Sequence, residues 1–192
     1  MPQEHFDRLY AENPDPWDFA TSWYERRKYA LTVASLPKRR YRSGFEVGCS
    51  VGELTRLLAP RCEKLLAVDC AALAVSRARG AVADLAHVKV GHASVPDYLP
   101  DDSYDLIVAS EVLYYFSADD LQRLLDGLLA RLEPGGDIIA AHLRAGDLRH
   151  GYDGHNVHSR LASHPALTRI VRHEDEGFVL DVLRHRDISG PK

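Results

Sequence analysis

From Ser43 onward, short apolar runs and helix-patterned stretches take turns along the chain, and this alternation constrains the fold more than any other feature. Strand-like runs fall at Ser43 to Val47, Lys64 to Val68, His87 to Val90, Tyr104 to Ala109 and Asp137 to His142. Between them the spacing predicts helices near 53 to 60, 72 to 86 and 118 to 132. Strands separated in this way belong to a parallel sheet covered by helices on both faces. Leu121, Leu124, Leu125, Leu128, Leu129 and Leu132 follow helical spacing and read as core packing, with Pro134-Gly135-Gly136 expected to close that helix.

Upstream, residues 3 to 35 read as helical with a break at Asn13-Pro14-Asp15-Pro16, where two prolines bar a continuous helix, and Pro37 ends the second segment. After about residue 145 the rhythm lapses into a Gly-, His- and Asp-rich stretch. It resumes at Leu167 to His173 and Phe178 to Arg184, which read as a hairpin around Asp175-Glu176-Gly177. No repeat or second domain interrupts the 192 residues, a length sufficient to bury a core without disulfides or metal.

The end of the first strand carries the chemistry. Gly48, in Glu46-Val47-Gly48-Cys49-Ser50-Val51-Gly52, lets the backbone approach a ligand, and Gly52 allows a tight entry into the next helix. Ligands in open parallel sheets bind beyond the carboxyl ends of the strands. The second strand ends at Asp69, an acid placed to accept hydrogen bonds from both hydroxyls of a ribose, followed by Cys70. A dinucleotide would require G-x-G-x-x-G, but Ser50 and Glu53 stand at its second and third glycine positions. A carboxylate beside a pyrophosphate repels it, whereas Glu46 suits a ligand bearing an ammonium group and no phosphate, which describes S-adenosylmethionine (SAM). The third strand leads to His92-Ala93-Ser94, expected beside the adenine.

These residues resemble the class I SAM-dependent methyltransferases, in which E/D-x-G-x-G-x-G closes the first strand and an acid closes the second. Ser50 departs from the pattern at the middle glycine. A narrower resemblance is carried by Asp15-Pro16-Trp17-Asp18-Phe19, Trp23-Tyr24-Glu25-Arg26-Arg27-Lys28-Tyr29, Ser110-Glu111-Val112-Leu113-Tyr114-Tyr115 and His142-Leu143-Arg144, which are similar to the nodulation-type (NodS-like) N-methyltransferases. The resemblance implies an α/β, Rossmann-like class I methyltransferase fold: a mostly parallel seven-stranded sheet with helices on both faces and a C-terminal antiparallel hairpin. Residues 1–192 would form one domain, with 1–40 a helical lid over the cofactor and acceptor site and 41–192 the core. It also implies SAM as cofactor and, as acceptor, a small molecule such as an amino sugar, family members methylating an amine of a deacetylated chitooligosaccharide.

Ser110 and Glu111 would then lie at the methionine end of the cofactor, near Tyr114 and Tyr115, where the methyl group meets its acceptor, with Trp17, Trp23 and Tyr24 supplying aromatic faces to a sulfonium. Methyl transfer is a direct displacement that depends on positioning and desolvation; an amine must be neutral to attack, and a hydroxyl needs a base. His142, ending the fifth strand, is the leading candidate base, and Arg144 either anchors substrate or braces Glu111. His158, with Tyr152 and Asp153, would line the acceptor pocket. An O-methyltransferase using His142 as base, and a non-catalytic SAM- or nucleotide-binding module, are the alternatives.

His150, His155, His158 and His164 lack a carboxylate partner at fixed spacing, and Cys49, Cys62 and Cys70 form no C-x-x-C pair, so no metal is expected. A net charge of -4 and the lack of a D/N-P-P-Y/F motif argue against nucleic acid. Short apolar runs and an N-terminus without signal features argue against a membrane and for the cytoplasm.

Overall fold

In the computed structural model, which describes residues 3–144 and 153–187, seven strands form one sheet in the order β3-β2-β1-β4-β5-β7-β6. The strands are β1 (Tyr41–Val47), β2 (Cys62–Asp69), β3 (Val88–His92), β4 (Tyr104–Ser110), β5 (Leu132–Leu143), β6 (Leu167–Glu174) and β7 (Phe178–His185). β1 through β5 run parallel, and β7 lies antiparallel between β5 and β6. The chain winds outward from β1 to β3, then crosses back to β4 on the other side of β1. This reversal opens a crevice at the carboxyl ends of β1 and β4.

Helices α1 (Gln3–Glu12) and α2 (Trp23–Ser35) precede the sheet; α3 (Glu53–Leu58), α4 (Ala72–Ala81), α5 (Ala118–Leu129) and α6 (Gly154–Ser163) connect its strands. Ser22, Ser117 and Asp153 cap α2, α5 and α6, each side chain accepting a backbone N–H three residues on. The α5 leucines are buried as expected, but the helix ends at Leu129, and Leu132 already belongs to β5, paired with Tyr104. Pro134-Gly135-Gly136 therefore sits inside an irregular start of β5 rather than closing α5. The helix expected to reach 86 stops at Ala81.

Because both faces of the sheet are covered, alternate residues of the central strands feed separate cores. Ile107 and Ala109 of β4, with Ile138 and Ala140 of β5, pack under α5 and α6. Leu106, Val108, Ile139 and Ala141 pack on the opposite side with Tyr29, Leu54 and Leu58. No helix among the described residues is long and apolar enough to cross a membrane.

Candidate active site

The crevice beyond β1 and β4 deepens into a cavity of about 460 Å³. Its floor is the turn after β1. Gly48 has φ 73, Ser50 φ 50 and Gly52 φ 91, so three residues in five occupy the left-handed region. Ser50 thus keeps the conformation that a glycine would adopt there, and its hydroxyl lies 2.5 Å from the Tyr10 hydroxyl of α1. A side chain at Gly48 would strike Val112, while one at Gly52 would strike Ala78 of α4. Gly52 therefore serves the packing of α3 on α4 and lies outside the cavity wall.

Glu46 and Asp69 bring two carboxyl groups to this floor. Glu46 is nearly fully buried and accepts from Thr55 Oγ1 at 2.6 Å; burial pushes its pKa up to about 7, the Thr55 hydrogen bond opposes the rise, and Asp69 adds to it. Asp69 accepts the Ser50 and Ala71 backbone N–H groups at 2.8 and 2.9 Å, which fix the carboxylate facing the cavity. Burial raises its pKa and these bonds lower it. Cys49, Cys70, Ala93 and Ser94 continue the wall. His92 stands outside it, with Nε2 2.8 Å from the Cys70 carbonyl.

At the other end the cavity is aromatic and acidic. Trp17, Tyr24, Ser110, Glu111, Tyr114 and Tyr115 line it as expected, joined by Phe6, Tyr10, Glu25 and Tyr29, which the sequence had not singled out for the wall. Trp23 contributes nothing, being 72% exposed. Glu111, at φ 53, accepts from Lys28 Nζ at 2.5 Å, from the Leu143 N–H at 3.1 Å and, through a short bond, from the Tyr114 hydroxyl. Lys28 is fully buried and also reaches Glu25, so this cation holds the acidic end together. Arg144 does not brace Glu111; it reaches His155 and the Asp175 carbonyl.

His142 and His158 are not brought to this cavity. Strand alternation turns His142 to the face shared with Ile138 and Ala140, under α6. There its Nε2 accepts the Leu113 N–H at 3.1 Å and its Nδ1 meets His158 Nε2 at 3.1 Å. Burial, with His158 and Lys28 nearby, drives the His142 pKa well below the usual imidazole range. Of the segment around His158, Asp153 caps α6 through the Asn156 N–H, while His150 and Tyr152 lie outside the described residues. His155 and His158 diverge, His155 toward Arg144 and Glu174, and no group of three or more metal-binding side chains occurs among the described residues.

A parallel sheet with a reversed seventh strand, and two acids at the ends of β1 and β2 facing one crevice, define the Rossmann-like methyltransferase fold. The sequence profile of Nodulation protein S (NodS) matches residues 4–154, and the chain belongs to the NodS family. It is 32% identical over 132 residues to Nodulation protein S of Rhizobium tropici, covering 68% of this chain and 56% of that one. The chain thus spans little more than half the length of that relative. The crystal structure of N-methyltransferase NodS from Bradyrhizobium japonicum WM9 in complex with S-adenosyl-L-homocysteine (SAH) superposes with a TM-score of 0.86 at 27% identity, over 95% of this chain and 97% of that one. A candidate methyltransferase of known structure from Pseudomonas syringae is 42% identical over 85% of this chain and all of that one, with a TM-score of 0.76.

Proposed function

We propose that the protein is a SAM-dependent N-methyltransferase whose acceptor is a small molecule carrying an amine, in the first place an amino sugar. The observation that carries the reading is the pairing, in one cavity, of buried Glu46 with Asp69 at one end and an aromatic, acidic wall at the other. The cavity volume lies within the roughly 300–1,000 Å³ of small-molecule sites. The left-handed turn brings bare backbone to its floor. Glu46 suits the ammonium of the cofactor's amino-acid end and Asp69 its ribose, with Ala93 and Ser94 beside the adenine and Ser110 toward the methionine. SAM supplies an electrophilic methyl group on a sulfonium, and the NodS structure with SAH supports that choice.

The chain's own residues then bind, orient and dry the reacting groups. Tyr24, Tyr114 and Tyr115 offer ring faces to positive charge, and Phe6 of α1 packs edge-on against Tyr115 at 5.2 Å, which excludes water from the acceptor end. Glu25 and Glu111 attract an acceptor that arrives as an ammonium ion. Glu25, whose pKa is raised chiefly by burial, takes the proton the amine must lose before it attacks. In this reading residues 1–40 act as the lid and 41–192 as the core.

Calorimetry with SAH, followed by incubation with labelled SAM and a de-N-acetylated chitooligosaccharide or its N-acetylated counterpart, tests the reading. Binding of SAH with label transferred only to the free amine is expected. SAH binding without transfer to any amine or hydroxyl would leave a cofactor-binding module instead.

A further inference from the structure

On the face of β5 turned away from the cavity, a file of polar groups crosses the leucine-rich core. Arg172 of the edge strand β6 donates to Asp181 Oδ2 at 3.1 Å; Asp181 Oδ2 accepts from His158 Nδ1 at 2.8 Å. His158 Nε2 meets His142 Nδ1, and His142 Nε2 accepts the Leu113 N–H. Asp181, His158 and His142 are each at most 1% exposed.

The amide fixes the direction of every link. A backbone N–H only donates, so His142 Nε2 carries no proton and its one proton sits on Nδ1. That proton points at His158 Nε2, which must be bare, leaving the His158 proton on Nδ1 facing Asp181. Each ring thus has one proton placed by its partners, and Asp181 is met from the other side by Arg172, with Arg169 3.9 Å away. Burying two imidazoles and a carboxylate among leucines costs free energy that aliphatic side chains would not. Packing alone does not account for them.

The inner end of the file does. Leu113 opens a single 3-10 turn, Leu113–Tyr115, two residues beyond the left-handed Glu111. The Tyr114 ring lies edge-on to His142 at 5.3 Å and to Tyr115 at 4.7 Å, and both tyrosines line the acceptor end. We propose that His158 and Asp181 are positioning residues for methyl transfer: by fixing the tautomer and plane of His142 they hold the Leu113–Tyr115 turn, and through it Tyr114 and Tyr115, against the acceptor. The inference rests on the methyltransferase reading of the cavity, and gives neither histidine any contact with the acceptor. His158 and Asp181 lie beyond residue 154, where the family profile stops, so the outer half of the file is not part of what that profile matches.

Long-range ¹H–¹⁵N spectra of the labelled wild-type protein test the file without any turnover. Both His142 and His158 are expected as the Nδ1-protonated tautomer; a proton on His142 Nε2 overturns the proposal. With the de-N-acetylated chitooligosaccharide, His158→Ala is expected to lower kcat/KM about tenfold, the worth of one buried hydrogen bond, with SAH affinity held within about twofold. His158→Gln, whose amide can accept from His142 and donate to Asp181, is expected to recover most of the loss. Wild-type turnover by a folded His158→Ala, or no rescue by glutamine, overturns the positioning role. Failure of the wild type to bind SAH would instead remove the methyltransferase reading, and the tautomers would still decide whether the file exists.

Discussion

Lys28 Nζ lies 2.5 Å from Glu111 Oε1 and 2.8 Å from Glu25 Oε2, so one fully buried ammonium bridges two carboxylates at the aromatic, acidic end of the cavity. The bridge ties α2 to the end of β4, two elements with no backbone pairing between them. It also fixes Glu111, whose other oxygen is already taken by the Tyr114 hydroxyl and the Leu143 N–H.

Removing one member of such a group leaves charges buried without a partner, which costs more than the group contributes when whole. Lys28→Met is therefore expected to destabilise the fold by about 3–5 kcal/mol, measured by urea unfolding at pH 7. In the double variant Lys28→Met with Glu111→Gln the loss should be much smaller than the sum of the single losses, because the two side chains share one interaction. Additive losses would show that the bridge is not coupled.

Glu46 carries a stability cost that the proposed site explains. Its pKa in the folded protein is about 7 against an ordinary 4.5, so its contribution to stability is full below about pH 4.5 and is lost as pH rises through about 7. Glu46→Gln keeps an acceptor for the Thr55 hydroxyl and removes the buried charge. The variant should melt higher than the wild type at pH 8, by an amount that vanishes near pH 4.5, and should bind SAH more weakly. A variant that is more stable yet binds SAH with wild-type affinity would separate Glu46 from the cofactor.

The same group sets a pH dependence for binding. An ammonium ligand requires the ionised carboxylate, and in the free protein that form is the minority below about pH 7. SAH affinity measured by calorimetry should strengthen by up to about tenfold per unit as pH rises toward 7, then level off, with proton release on binding at pH 6. In Glu46→Gln the dependence should flatten.

Much of this site was legible before the structure, because turn chemistry leaves local marks. Gly48, an acid two residues ahead and an acid ending the next strand are sequence signals, and all three residues line the cavity. Parity was the signal that failed for His142: it shares the face of Ile138 and Ala140, but a strand buried on both sides shows no polar alternation to say which face looks at the crevice. The role of Lys28 left no local mark, because a lysine beside Arg26 and Arg27 resembles a solvated run and its partner Glu111 is 83 residues away. The hairpin was visible as two strands, whereas α6 fell in a stretch whose polar residues include its own cap, Asp153. No local pattern marked Phe6 and Tyr10 for the cavity wall, since their role depends on where α1 docks.

That docking runs through Ser50. A non-glycine residue held at φ 50 costs about 1 kcal/mol relative to glycine, and the cost persists only where something compensates. Here the Ser50 hydroxyl meets Tyr10 of α1, whose ring also packs edge-on against Trp17 at 5.7 Å. Ser50→Gly should then leave stability near wild type, relief of the backbone offsetting the lost hydrogen bond. Tyr10→Phe removes the same bond with no relief, and should cost about 0.5–1.5 kcal/mol. If α1 covers the bound cofactor, both variants should release SAH faster in stopped-flow measurements while the association rate changes little. Unchanged release in both would show that this link serves the fold of the N-terminal segment and takes no part in retaining the ligand.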